Sequence, residues 1–431
     1  MNLFADRLKN LGDETAFKIG DDIRRCEAEG LHVIKLNLGE PDFDSASNIN
    51  QVAIDNILDG NSHYTDPQGI LPLRQKIAEV IQETRGVSVS PDQVVVTSGG
   101  KPSIGYSLLT YVNTGEEVIY PSPGFPIYES WINFVKATPI PLQLREEKGY
   151  RFEAADLEPL ITPKTKLLII NSPSNPTGGV LSKDNLNNIA TLIKEKADPT
   201  IRILSDEVYD EIVFDGRKHE SIISHPGMTE HTILLNSFSK SFAMTGWRLG
   251  YGVLPTVEEA KFFRQWNINT YSCTSPFIQA AGLAALSNEE NKAIVSNMCK
   301  AFEARRDVVI EAINQIEGVT CCKPGGAFYA FPNIGQVCRK LGIMEIYDHL
   351  PPDKRRKTSP STLFQLFALY KHGVATLDRR SFGLKGSEGQ HFLRISMASD
   401  LDSLKEGIKR IEAASRDEAG FGKFIKEVKM V

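Results

Sequence analysis

Three apolar runs in the middle of the chain, LLII at 167–170, IRIL at 201–204 and TILL at 232–235, constrain the fold more than any other feature of the sequence. They barely alternate between polar and apolar residues, so they need cover on both faces, and each is followed by turn residues and then a longer helical pattern. A parallel sheet joined by helical crossovers reads this way. Further runs extend the set, and strands are predicted at 94–97, 117–120, 138–142, 166–171, 201–206, 232–236 and 248–254. After about residue 285 the pattern changes: Ile294, Met298, Phe302 and Ile310 recur at near-helical spacing, which predicts one long helix leaving the sheet. The expected architecture is α/β: a mainly parallel seven-stranded sheet with helices on both faces (46–290), plus a smaller α+β domain. That domain takes the linking helix and C-terminal part (291–431) and a contribution from the N-terminal segment (1–45). The stretch 341–363, with adjacent prolines and a KRRK run, reads as a surface insertion, and 415–431 as a polar tail with isolated apolar residues.

Composition removes several functions. Lys and Arg number 49 against 54 Asp and Glu, a net charge of −5, so there is no general pull toward nucleic acid or anionic lipid. No window reaches the roughly 18 apolar residues of a membrane span. Asp6, Arg7 and Lys9 interrupt the N-terminus before a signal-peptide core can form, and the expected location is the cytoplasm. Six cysteines, Cys26, Cys273, Cys299, Cys321, Cys322 and Cys338, lack CxxC spacing and read as reduced thiols; no metal site is expected.

In an open α/β sheet, ligands sit beyond the carboxyl ends of the strands. There the sequence places Asn171 to Gly178 (NSPSNPTG), then Ser205-Asp206-Glu207-Val208-Tyr209, then Asn236-Ser237-Phe238-Ser239-Lys240. A carboxylate buried at a strand end needs a cation or proton donor, so Asp206 calls for a basic partner such as a protonated pyridine nitrogen. Lys240 can form a Schiff base with an aldehyde, and Ser237, Ser239 and Arg248 can hold a phosphate. Together they describe pyridoxal phosphate. Singly, each has an ordinary reading: a helix cap for Asp206, a solvated amine for Lys240, a surface ion pair for Arg248. The TSGGKPS segment from Thr97 offers backbone N–H groups to an anion. It is not a Walker A loop, since Val95 and Pro102 stand where that motif needs glycine and Ser or Thr. HExxH, GxSxG and GxGxxG are absent from the sequence, which disfavours a zinc protease, an α/β-hydrolase and a Rossmann dehydrogenase.

With these residues in place, the chain resembles the class I and II aminotransferases of fold type I, the aspartate aminotransferase-like pyridoxal-phosphate enzymes. Nine segments occur in the family's order: NLGEPDF from Asn37, HYTDPQGI from His63, TSGGKPS from Thr97, YPSPGFPIY from Tyr120, NSPSNPTGG from Asn171, SDEVYDEI from Ser205, SFSKSFAMTGWRLGY from Ser237, PGGAFYAF from Pro324 and LRISMA from Leu393. The resemblance implies Lys240 as the Schiff-base lysine and proton shuttle, Asp206 at the pyridine nitrogen, and Tyr209 and Asn175 at the ring oxygen. It implies Phe125 stacked on the ring, and Gly100, Ser237, Ser239 and Arg248 around the phosphate, with Tyr64 reaching in from the partner of a homodimer. Arg394 would grip the substrate α-carboxylate, assisted by Asn175 and Gly39. It also suggests a cis peptide before Pro176, against the ordinary trans bond. Trp247, Phe328 and Phe331 read as core or pocket wall, and Glu207 as structurally paired.

Substrate choice is where the pattern departs. The segment 265–275 (QWNINTYSCTS) has no arginine for a distal carboxylate. Lys101 either takes that role, as a lysine after two glycines does in some relatives, or contacts phosphate or solvent. In LDRRSFG from Leu377, Arg379 or Arg380 either enters the pocket or lies solvated at the surface. The expected function is transfer of an L-amino acid's amine to a 2-oxo acid; a lyase, decarboxylase or oxidase on the same scaffold is the alternative. A cofactor-sensing regulator is disfavoured, since the segment before Asn37 has no room for a winged-helix domain.

Overall fold

The computed structural model describes residues 3–427. All seven expected strands are present, with ends within two residues of those predicted: β1 (Val94–Thr97), β2 (Glu117–Ser122), β3 (Thr138–Gln143), β4 (Thr165–Asn171), β5 (Arg202–Asp206), β6 (Thr232–Ser237) and β7 (Gly250–Val253). They form one sheet in the order β1-β7-β6-β5-β4-β2-β3. Every residue of β1, β6 and β7 is buried, as strands covered on both faces require. Pairing is parallel except along β7, which runs antiparallel to both β1 and β6.

The register positions the site. Asn171 lies beside Asp206, and Asp206 beside Leu235, so three carboxyl ends line up at one edge. Because β7 is reversed, its first residue, Gly250, is opposite both Thr97 and Ser237. Arg248, two residues earlier and in the left-handed region at φ 57°, therefore joins that edge from the opposite chain direction.

A second set of strands lies outside this sheet: Leu377–Asp378, Leu393–Ser396 and Tyr329–Ala330 form an antiparallel sheet, and Ile34–Lys35 pairs in parallel with Val374–Ala375. The long helix is Glu289–Asn314, on which Met298, Phe302 and Ile310 are buried. Ile294 is exposed and Val295 takes the inward position, because the buried stripe runs one residue later than the spacing suggested. The stretch 341–363 is not a plain surface insertion: Leu341, Ile343, Leu350 and Leu363 are buried, Ile343 and Leu363 in one core with Phe364 and Phe367. The polar tail also needs correction, since Glu418–Glu427 is a helix that buries Phe421, Phe424 and Ile425 against the same core; residues 428–431 of that prediction lie outside the described residues. Among the described residues, no helix is long and apolar enough to cross a membrane.

Candidate active site

A cavity of about 550 Å³ opens at the carboxyl edge of the sheet. Its lining includes Gly39, Gly100, Lys101, Phe125, Asn175, Asp206, Tyr209, Ser237, Ser239, Lys240, Arg248 and Arg394, so of the residues expected at cofactor and α-carboxylate, together with Lys101, all but one meet there. The exception is Tyr64, which is 87% exposed and outside its own chain's cavity.

Asp206 ends β5 and is buried. A proton donor from this chain already meets it: Tyr128 Oη donates to Oδ2 at 2.5 Å, from the helix Pro126–Phe134. Burial pushes the carboxyl up to about 6, against the pull of that hydrogen bond. Burial, and then Asp206 itself, drives the Tyr128 phenol far above its ordinary value, so it stays a donor. Tyr128 was legible only as the last residue of YPSPGFPIY; nothing in the sequence marked it as facing Asp206.

Lys240 follows β6, and its Nζ donates to the Gly39 carbonyl at 2.6 Å. Burial, then the nearby Arg394, lowers this amine to about 8. A lysine that is largely neutral just above pH 8 is a competent nucleophile and base. Gly39 has no room for a Cβ, which would collide with the Tyr329 hydroxyl. Tyr209 shares a hydrogen bond with Tyr329 (2.7 Å between oxygens), a wall residue that sequence reasoning placed only within PGGAFYAF.

Around the start of the helix Lys101–Tyr111, backbone and side-chain donors converge. Gly99 is left-handed at φ 81°, and a Cβ there would overlap the Arg248 guanidinium, so only glycine admits the arginine. Arg248 Nη1 donates to the Thr245 carbonyl at 2.7 Å, while Ser237 Oγ accepts from the Ser239 N–H at 3.4 Å. Free N–H groups at a helix start, two hydroxyls and a guanidinium constitute an anion cradle.

Opposite, Arg394 comes from the small antiparallel sheet. It donates from Nη1 to Asn175 Oδ1 (3.1 Å) and from Nη2 to the Asn37 carbonyl (2.5 Å), and lies over the Tyr329 and Phe382 rings. Its Nε is buried without a partner. Asn175 is itself held by Asn171 Oδ1, which accepts its backbone N–H at 2.9 Å, and the Asn175–Pro176 peptide is cis. A half-buried amine, a carboxylate for a ring N–H, an anion cradle and an arginine short of one acceptor are the donor set that pyridoxal 5′-phosphate and an amino acid require.

Residues 32–411 match the family described as aminotransferase class I and II. The chain belongs to that family. This aminotransferase is 34% identical over 411 residues to a probable aspartate/prephenate aminotransferase of Aquifex aeolicus (95% of this chain, 98% of the relative). It is 35% identical to aromatic-amino-acid aminotransferase 2 of Thermococcus litoralis, covering 96% and 98% of the two chains. The solved aspartate aminotransferase of Rhizobium meliloti superposes with a TM-score of 0.85 at 31% identity, over 96% of this chain and 99% of that one. The protein is a fold type I, pyridoxal-phosphate-dependent transaminase.

Of the two places left open for Arg379 and Arg380 in this aminotransferase, the pocket receives neither, and Arg379 is not at the surface either. Arg379 is fully buried and donates to Gln390, Ser122 and the carbonyls of Phe382, Gly383 and Gly386, so it fastens the loop after the 3-10 turn Arg379–Phe382. Arg380 donates to the Arg356 carbonyl. Glu207 is structural as expected: burial would raise it, but Arg85, His219 and Ser221 hold it at about 2. Trp247 is partly buried against a core of the sheet region, Phe331 is buried in another, and Phe328 packs edge-on against Tyr209.

Proposed function

We propose that this transaminase moves the amino group of an L-amino acid onto a 2-oxo acid, with Lys240 as the residue that bonds the cofactor aldehyde and then acts as the base at the substrate α-carbon. The observation that carries this is the Lys240 amine: half-buried, lowered to about 8, and held inside the cavity that also contains Asp206 and Arg394. Pyridoxal 5′-phosphate bound here supplies an aldehyde and a ring that accepts electron density as the α-proton leaves. Asp206 would hold the ring nitrogen protonated, Tyr209 and Asn175 would hydrogen-bond the ring oxygen, and Phe125 would cover the ring. Gly100, Ser237, Ser239 and Arg248 would bind the phosphate, while Lys101 lines the same cavity paired with Glu14. Arg394, Asn175 and the Gly39 backbone orient the α-carboxylate, which sets the α-proton within reach of one amine, so a second base is not needed.

The working unit is read as a homodimer in which Tyr64 crosses to the partner's phosphate, a reading supported by its exposure and by its not lining its own chain's cavity. Domain limits at 46–290 and 291–431, with 1–45 joining the latter, are supported by the pairing of Ile34 and Leu36 with the core around Phe364 and Phe367. A cytoplasmic location is supported by six free cysteines.

Borohydride reduction of the reconstituted protein followed by peptide mapping is expected to place the pyridoxyl group on Lys240. Incubation with amino acids and 2-oxoglutarate or pyruvate is expected to transfer the amine; a label on another side chain, or oxo-acid release without transfer, would refute the reading and favour a lyase or oxidase.

A further inference from the structure

The outer end of the cavity holds a charge the family resemblance leaves unused. Glu14 immediately precedes the helix Thr15–Ala28, makes no side-chain capping bond to it, and lines the cavity with Ala16 and Phe17. Its carboxylate pairs with Lys101 Nζ, and its side chain is only 17% exposed. The Phe17 and Phe125 rings each lie 5.7 Å from the same Nζ. Phe17 is 67% exposed, an apolar face at the mouth of the cavity. Glu14 also reaches inward: it is among the charges felt by Lys240, Arg394 and Tyr329.

The charge balance then decides what a substrate side chain meets. The cavity's cations are Lys101, Lys240, Arg248 and Arg394. Lys240, Arg248 and Arg394 have their work at the aldehyde, phosphate and α-carboxylate. A distal carboxylate is left with Lys101, and Lys101 already has a carboxylate from its own chain. A second acid must either displace Glu14 or sit unpaired beside it, and like charges at that distance repel. A flat uncharged side chain faces neither cost and covers the Phe17 ring.

We propose that Glu14 selects against dicarboxylic substrates by occupying Lys101, and that the subsite formed by Phe17, Phe125 and the paired Lys101 takes aromatic, uncharged side chains. This rests on the aminotransferase reading and names its substrate class. Because the pair is partly exposed, its displacement is a modest barrier, about tenfold in selectivity.

The test uses the dimer-competent, cofactor-loaded full chain and its Glu14→Gln variant. Half-reactions with aspartate, glutamate and phenylalanine are followed by the cofactor's absorbance, and dissociation constants of succinate and 3-phenylpropionate by spectral titration. Wild type is expected to prefer phenylalanine. Glu14→Gln is expected to raise the aspartate-to-phenylalanine ratio of kcat/KM about tenfold and to tighten succinate relative to 3-phenylpropionate by a similar factor. Adding Lys101→Met to Glu14→Gln removes both gains. A wild-type preference for aspartate, an unchanged ratio in folded Glu14→Gln, or gains that survive without Lys101 would each overturn the proposal. If no amino acid converts the cofactor, the aminotransferase reading fails instead, and the two non-reactive acids still decide the role of Glu14.

Discussion

Asp206 is a carboxylate buried at a strand end, and Asp206→Asn should show what that burial costs. Burial raises the carboxyl from 3.8 to about 6 even with Tyr128 donating to it. At 1.36 kcal/mol per pH unit, that rise corresponds to about 3 kcal/mol. The folded chain binds this proton more tightly than the unfolded chain, so apoprotein stability falls as pH rises from about 4 to 6, and the full penalty is present above 6. Asn keeps an acceptor for Tyr128 and has no charge to desolvate. Urea unfolding of both apoproteins, at equal concentration and followed by circular dichroism, is expected to find Asp206→Asn more stable at pH 7.5 by about 3 kcal/mol, with about half that advantage at pH 5. The cofactor should reverse the order, since a protonated ring nitrogen compensates the carboxylate and does nothing for the amide. An Asn variant no more stable than wild type at pH 7.5, or an advantage that does not shrink at pH 5, would refute the argument from burial.

Tyr128→Phe removes the hydrogen bond that holds the same carboxyl down, a bond to a charged acceptor contributing about 1.5–3 kcal/mol. The midpoint of the apoprotein's pH-dependent stability should move up by about one to two pH units; an unmoved midpoint would mean that Tyr128 is not the donor. Arg379→Met strips the donors from Gln390, Ser122 and three carbonyls, and should lower unfolding free energy by about 3 kcal/mol or more while leaving the aspartate-to-phenylalanine ratio as it was. Stability near wild type with an altered ratio would return Arg379 to the pocket.

The central sheet was legible because strands covered on both faces must be apolar throughout, and that signal is local. The site residues at β4, β5 and β6 followed, since a strand end fixes position within a residue or two. What a residue faces across the fold was not legible. Asp206 called for a cation or proton donor from charge alone, and which side chain of this chain would donate, Tyr128, followed only from packing. Glu14 and Phe17 were hidden because their helix reaches the cavity from nearly 90 positions away in sequence, as the Glu14–Lys101 separation of 87 records. Arg379 read as either a pocket or a surface residue because the sequence lists no carbonyls, and five neutral acceptors now surround it. The helix Glu418–Glu427 was missed because its three buried residues, Phe421, Phe424 and Ile425, are spread thinly through a polar run, where spacing of three and four carries more information than composition.

The unpartnered Nε of Arg394 has a practical corollary. A buried cation with one open donor attracts whatever small anion is at hand, and the head of the natural substrate is chemically an acetate with an amine on it. On the proposed role of Arg394, formate or acetate in a buffer is thus a fragment of the substrate, able to compete for the guanidinium before the amino acid arrives. Affinities measured in such buffers will look weaker than those taken in zwitterionic ones, and comparisons between variants of this enzyme hold only within one choice of salt.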